Sequence, residues 1–175
     1  MTWEQFFDWL MGREGRVVHN DPRDPGGQTA WGISRRYWPK WAGWEWVDGG
    51  RAEDPGFASI VSDFYRTQYS GFWQALPARV NAVAVDTAVN MGHDYAVRCI
   101  QTALNRLAGS VYVVVDGKMG PRTMDAVKHA DASALAYAMC AVRLAEYGRR
   151  GRNGDPRRVF LDGWINRVRS LMEVI

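Results

Sequence analysis

The run EGRVVHNDPRDPGGQTAWGIS, Glu14 to Ser34, constrains the fold more than any other stretch. Ahead of it, Thr2 can cap a helix in which Trp3, Phe6, Phe7, Leu10 and Met11 recur at three- and four-residue steps, so Glu14 falls in the last turn or just beyond. After it, Val17 and Val18 have strand character, Asp21-Pro22 and Asp24-Pro25 are turn formers, and Gly26-Gly27 supplies the positive φ of a tight reversal. The chain is therefore expected to leave a helix and fold back as a small β-hairpin that faces Glu14. A carboxylate at the negative end of a helix dipole, among rings that exclude water, is disfavoured in its ionised form. That is the condition a general acid needs at neutral pH.

The same run resembles the signature of glycoside hydrolase family 108, the N-acetylmuramidases found as phage endolysins and in secretion-associated operons, with its EGG-x-VNDP-x-DPGG-x-T-x-x-GI pattern. Gly15, Asn20, Asp21, Pro22, Asp24, Pro25, Gly26, Gly27, Thr29, Gly32 and Ile33 fit it. Arg16 stands where the pattern has its second glycine, and His19 interrupts the Val-Asn step. Neither departure removes a carboxylate, though both bear on loop geometry. The run is similar, more loosely, to the Glu, Asp, Thr arrangement of phage-type lysozymes, with Thr29-Ala30-Trp31-Gly32-Ile33 in place of their Thr-x-Gly-x-Gly strand.

The resemblance implies a mainly α, lysozyme-like two-lobed domain with a small β-hairpin beside its cleft. It implies hydrolysis of the β-1,4 bond between N-acetylmuramic acid and N-acetylglucosamine in peptidoglycan. Glu14 would be the acid, Asp24 or Asp21 the second carboxylate and Thr29 a water-positioning residue. In the similar phage lysozymes the Asp comes shortly before the Thr strand, a resemblance that favours Asp24 for catalysis and leaves Asp21 shaping the turn and bordering substrate, with Trp31 and Asn90 as further substrate contacts. No metal or organic cofactor is required. Two other functions are weighed against this one: a lytic transglycosylase, which works with a single Glu, and a non-catalytic module that binds the wall or assists secretion.

Composition agrees with one such domain. A 175-residue chain with 47% hydrophobic content is long enough for a well-buried core. It reads as a single domain over 1–175, with a catalytic half at 1–92 and a helical, basic half at 93–175. Residues 1–92 carry nine Lys and Arg against eleven Asp and Glu, and 93–175 carry thirteen against eight, so the positive charge lies in the second half. A basic face attracts nucleic acid or anionic wall polymer. The nucleic-acid reading leaves the Glu14 signature idle, so peptidoglycan is the expected partner. The longest uncharged apolar stretch considered, Ala132 to Val142, is far short of a bilayer span, and membrane insertion is not expected. The start Met-Thr-Trp-Glu has neither a basic nor an apolar leader region. The expectation is a monomer made in the bacterial cytosol, without a Sec signal, that acts on the wall after release by a holin or a secretion apparatus. Cys99 and Cys140 lie in apolar helical patterns and read as buried free thiols.

Further along, Trp38, Trp41, Trp44 and Trp46 sit in a stretch with Gly and Pro but no sustained period, which reads as an ordered loop. Its rings either pack the loop down or offer a sugar-stacking platform, and packing is favoured. A helix is expected from Asp54-Pro55 to about Trp73, and another from Arg79 to Gly92 that is apolar nearly all round. Asp86 in that helix needs buried partners, and a structural role, holding neighbouring backbone or an Arg, is expected ahead of catalysis. Helices are further expected over 94–107, from Gly120-Pro121 to His129, over 134–147 and over 156–174, with a β-branched run at Val111–Val115. The element Asp116-Gly117-x-x-Gly120-x-x-Thr123 is similar to one found in peptidoglycan-binding sequences. His19, His93 and His129 are too scattered for a zinc site, and no nucleophile elbow or nucleotide-binding loop is present.

Overall fold

The structure is a computed structural model and describes residues 2–20, 27–70, 74–152 and 155–175. Asp21 and Asp24 lie outside the described residues. The chain divides into two compact units, one of Trp3–Gly71 and the other of Phe72–Ile175 with the first two residues.

The first unit begins with α1, Trp3–Glu14, which buries Phe6, Phe7, Leu10 and Met11. A three-stranded antiparallel sheet follows in the order β1 (Val18–His19), β2 (Thr29–Ala30), β3 (Ile33–Ser34). Val18 pairs with Ala30, His19 with Thr29, Ala30 with Ile33 and Thr29 with Ser34. The sequence led us to expect a hairpin, and the third strand is the difference. It arises because Trp31 and Gly32 form a two-residue turn with φ of 47° and 82°, the positive values that a twist-matched hairpin demands. A bulky ring rarely accepts such a φ. Here the Trp31 N–H donates to the Val17 carbonyl at 2.9 Å, its carbonyl accepts from the Tyr65 hydroxyl at 2.9 Å, and its ring meets Phe57 edge-on at 5.5 Å.

The tryptophan-rich stretch contains a short helix, α2 (Gly43–Asp48), where we expected a loop. Packing holds it. Trp44 is buried, its indole N–H donates to the Trp38 carbonyl at 2.7 Å, and Trp41 and Trp38 lie edge-on or tilted against Phe64. Next comes α3, Pro55–Tyr65, opened by its N1 proline. It widens into a π-turn at Arg66–Ser70.

In the second unit, α4 (Ala78–Met91) is buried on nearly every side and stops at Gly92, whose φ is 89°. It packs with α5 (His93–Ala108) and α7 (Ala132–Arg150); α6 (Pro121–His129) joins α5, and α8 (Leu161–Met172) joins α7 after a 3-10 turn at Pro156–Phe160. The Asp131 carboxylate caps α7 by accepting from the Ala134 N–H at 2.7 Å. Val111–Val115 forms no strand: the Asn105 side chain binds the N–H groups of Tyr112 and Val113 and the Val113 carbonyl, which ties the run to α5. Cys99 and Cys140 are buried free thiols, and burial pushes them up to about 12 and about 11. Among the described residues no helix is long and apolar enough to cross a membrane.

Candidate active site

Glu14 is the last residue of α1, and the reason is Gly15: its φ of 84° breaks the helix while its N–H still reaches the Met11 carbonyl at 2.9 Å. The helix is anchored behind Glu14 by the Trp3 indole, which donates to Ser62 Oγ at 2.8 Å, and by the Phe7 ring against Tyr65. The half-buried carboxylate of Glu14 therefore projects from a fixed end.

What closes over it is the Trp31-Gly32 turn. A Cβ placed on Gly32 would lie 2.6 Å from the Tyr65 hydroxyl, 3.1 Å from Glu14 Oε2 and 3.2 Å from Glu14 Cβ. Gly32 is thus required twice, for its backbone conformation and for the close approach of two side chains that any larger residue would displace. Tyr69, carried by the π-turn, stacks on Tyr65 at 5.6 Å. Its phenol is pushed up, first by burial and then by the negative charge of Glu14. The Glu14 carboxylate therefore sits among a glycine backbone, a buried tyrosine hydroxyl committed to Trp31, and a second phenol that stays neutral.

The sequence did not point to Tyr65, Tyr69 or Gly32 as neighbours of Glu14. Tyr65 and Tyr69 are four apart and read as one apolar stripe, and which side chain they meet depends on the π-turn. Single π-turns often lie at functional sites.

The other expected site residues fall as follows. Thr29 is half-buried in β2, and its hydroxyl donates to the Gly27 carbonyl at 3.3 Å. Trp31 is 8% exposed, with its ring between Phe57 and the Arg16 guanidinium. Arg16 also pairs with Asp8, so the residue standing in the place of a glycine is bound on both sides. His19 is exposed and lies across from Thr29 in the sheet.

Asn90 belongs to the second unit. Its Oδ1 accepts from the Tyr147 hydroxyl at 2.6 Å, and Tyr147 also accepts from Arg143 at 3.3 Å and stacks on Trp164. One turn earlier on α4, Asp86 is wholly buried. Arg143 approaches its Oδ2 at 2.7 Å, out of line for a hydrogen bond, and Arg167 donates to its Oδ1 at 2.8 Å. Burial alone would push the Asp86 carboxyl up, but the two guanidinium groups outweigh it and hold it below the ordinary aspartate range. The structural role expected of Asp86 is the one found.

Residues 7–92 match the family model of glycosyl hydrolase 108, and residues 95–169 match that of a predicted peptidoglycan domain. The two matches meet after α4, whereas the compact units divide before it. A comparison with curated proteins found no match. Among solved structures, SagA of Brucella abortus is similar over 98% of this chain and 92% of its own, at 24% identity and a TM-score of 0.67. That likeness concerns the fold, which is mainly α and lysozyme-like with a small antiparallel sheet. Residues 7–92, which hold Glu14, the three-stranded sheet and all but the first turn of α1, thus belong to glycosyl hydrolase family 108, and the chain is a glycoside hydrolase that acts on peptidoglycan.

Proposed function

We propose that Glu14 is the general acid of an N-acetylmuramidase, with Asp24 as its partner carboxylate. The observation that carries this reading is the placement of Glu14 at a fixed helix end, beneath a glycine backbone and beside two tyrosines. Glu14 gives its proton to the glycosidic oxygen between N-acetylmuramic acid and N-acetylglucosamine as the bond from the anomeric carbon to that oxygen breaks. Asp24 takes a proton from the water that attacks the anomeric carbon, and Thr29 orients that water. Asp21 shapes the loop and borders substrate. Trp31 contributes by holding the turn over Glu14, and Asn90 by meeting an acetamido or hydroxyl group.

A water trapped between acid and base requires carboxyl groups roughly 6.5–9.5 Å apart, against about 5–5.5 Å for direct nucleophilic attack. A water-positioning threonine suits the wider arrangement, so the anomeric configuration is expected to invert. The same reading has the protein act as a monomer, delivered to the wall by a holin or a secretion apparatus.

Mass spectrometry of fragments released from purified peptidoglycan tests the reaction. Free reducing ends on N-acetylmuramic acid are the expected product. Anhydro ends would instead assign the chain to the lytic transglycosylases, and uncleaved glycan would leave only a binding module.

A further inference from the structure

The first unit holds a groove of about 410 Å³ to which no role has yet been given. That size falls in the range of roughly 300–1,000 Å³ typical of sites that take a small organic ligand. Its walls include Tyr37, Trp38, Lys40, Trp41, Phe64 and Gln68. The aromatic walls are braced from behind. Trp38 meets Phe64 edge-on at 5.0 Å, Trp41 meets Trp44 edge-on at 5.1 Å, and Trp44 in turn clasps the Trp38 carbonyl. Gly43 has room for no side chain, because a Cβ there would lie 2.2 Å from the Trp41 ring. Trp38 and Trp41 are thus held in place yet remain half-exposed, while Tyr37 is 71% exposed at the rim and Lys40 is exposed beside it. Rigid, partly uncovered rings lose little freedom when a ligand arrives.

The groove is also tied to the Glu14 site by one segment. Gln68 lines the groove, while the next residue of the π-turn, Tyr69, feels the charge of Glu14. A ligand seated on Phe64 and Gln68 thus touches the element that carries the neighbour of the acid.

We propose that this groove is a subsite for the peptidoglycan strand, taking an N-acetylated sugar ring against Trp38 and Trp41 and a carboxylate of the attached lactyl-peptide stem at Lys40. The inference rests on the peptidoglycan reading above. Sugar rings present C–H faces that pack on aromatic planes, the Gln68 amide matches an acetamido group, and Lys40 at the rim matches the anionic stem. Tyr37 forms the outer edge of the platform.

The test titrates the Glu14→Gln protein with two soluble ligands, a tetrasaccharide that bears peptide stems and chitotetraose, which has no carboxylate. The indole N–H signals of Trp38 and Trp41, identified by replacing each with Phe, are expected to shift with both. Tyr37→Ala, at an exposed position, should weaken both ligands about two- to tenfold, the loss of one aromatic contact. Lys40→Ala should weaken the stem-bearing ligand alone and reduce the salt dependence of its binding. In the active enzyme Tyr37→Ala should raise KM more than it lowers kcat. Unshifted indole signals, or unchanged affinity for both ligands in Tyr37→Ala and Lys40→Ala, overturn the proposal. Binding is read without turnover, so a Glu14→Gln protein that still cleaves wall would remove Glu14 as the acid and leave the result on the groove distinct.

Discussion

Replacing Gly32 with Ala tests the geometry around Glu14. At φ of 82° an L-residue costs roughly 1–2 kcal/mol. The added methyl would lie 2.6 Å from the Tyr65 hydroxyl, and overpacking of that kind adds roughly 1–3 kcal/mol. The total of about 2–5 kcal/mol, at roughly 2–4 °C per kcal/mol for a chain of this length, lowers the melting temperature by about 4–20 °C. Part of the cost has a named source. Tyr65→Phe removes the hydroxyl and leaves the Trp31 carbonyl unsatisfied, a loss of about 1–3 kcal/mol by itself. It also clears the tightest contact of the new methyl. The double variant should therefore be more stable than the sum of the singles by about 0.5–3 kcal/mol. Activity should not recover with it, because the methyl still lies 3.1 Å from Glu14 Oε2 and 3.2 Å from its Cβ. Thermal melts followed by tryptophan fluorescence, with wall clearing measured on the same samples, give both quantities. Strict additivity, or a Gly32→Ala protein that melts and clears walls like the parent, would refute the packing argument.

Asp86→Asn leaves Arg143 and Arg167 without their counter-charge and should cost about 3–5 kcal/mol in a urea titration. Because the folded carboxyl is held below its unfolded value of about 3.9, its stabilisation is complete above that pH and lost as pH falls through the lower folded value. The parent should thus show an acid-side fall in stability that the variant lacks, and equal acid profiles would contradict this. Thiol reagent should leave Cys99 and Cys140 unmodified in the native protein at neutral pH and label both in denaturant, since both are buried and their thiols are pushed up to about 12 and about 11. Asp24→Asn and Thr29→Ala should each cut turnover by roughly 10²–10⁴-fold with melting little changed. Asp21→Asn should cost mainly stability, and NMR of the first-formed anomer should show inversion.

Glu14 at the end of α1 was legible because its helix is strongly periodic and a glycine follows it. The long buried helix α4 was legible for a similar reason, and an aspartate in its interior implied a partner, backbone or arginine, without saying which. The third strand was not legible, because it depends on Trp31 accepting a positive φ, held by distant partners such as the Tyr65 hydroxyl and the Phe57 ring. Likewise, α2 has no hydrophobic period of its own: its Trp46 meets Phe57, and Trp38 and Trp41 ahead of it meet Phe64, both from a later helix. Val111–Val115 has the composition of a strand, yet one side chain, Asn105, takes its backbone groups instead. Packing prevailed among the tryptophans as expected, but the groove beside Trp38 and Trp41 depends on how the rings are braced. The meeting of Tyr69 with Glu14 depends on a π-turn that breaks the ordinary helical period.

The central claim is that Glu14 supplies the proton, and Glu14→Gln measures it most directly. The amide keeps the size of the side chain, so far-UV dichroism and melting should match the parent. Release of reducing ends from purified peptidoglycan should fall by roughly 10²–10⁴-fold, the usual worth of a general acid. A folded Glu14→Gln protein that still releases reducing ends at the parent rate would contradict the account.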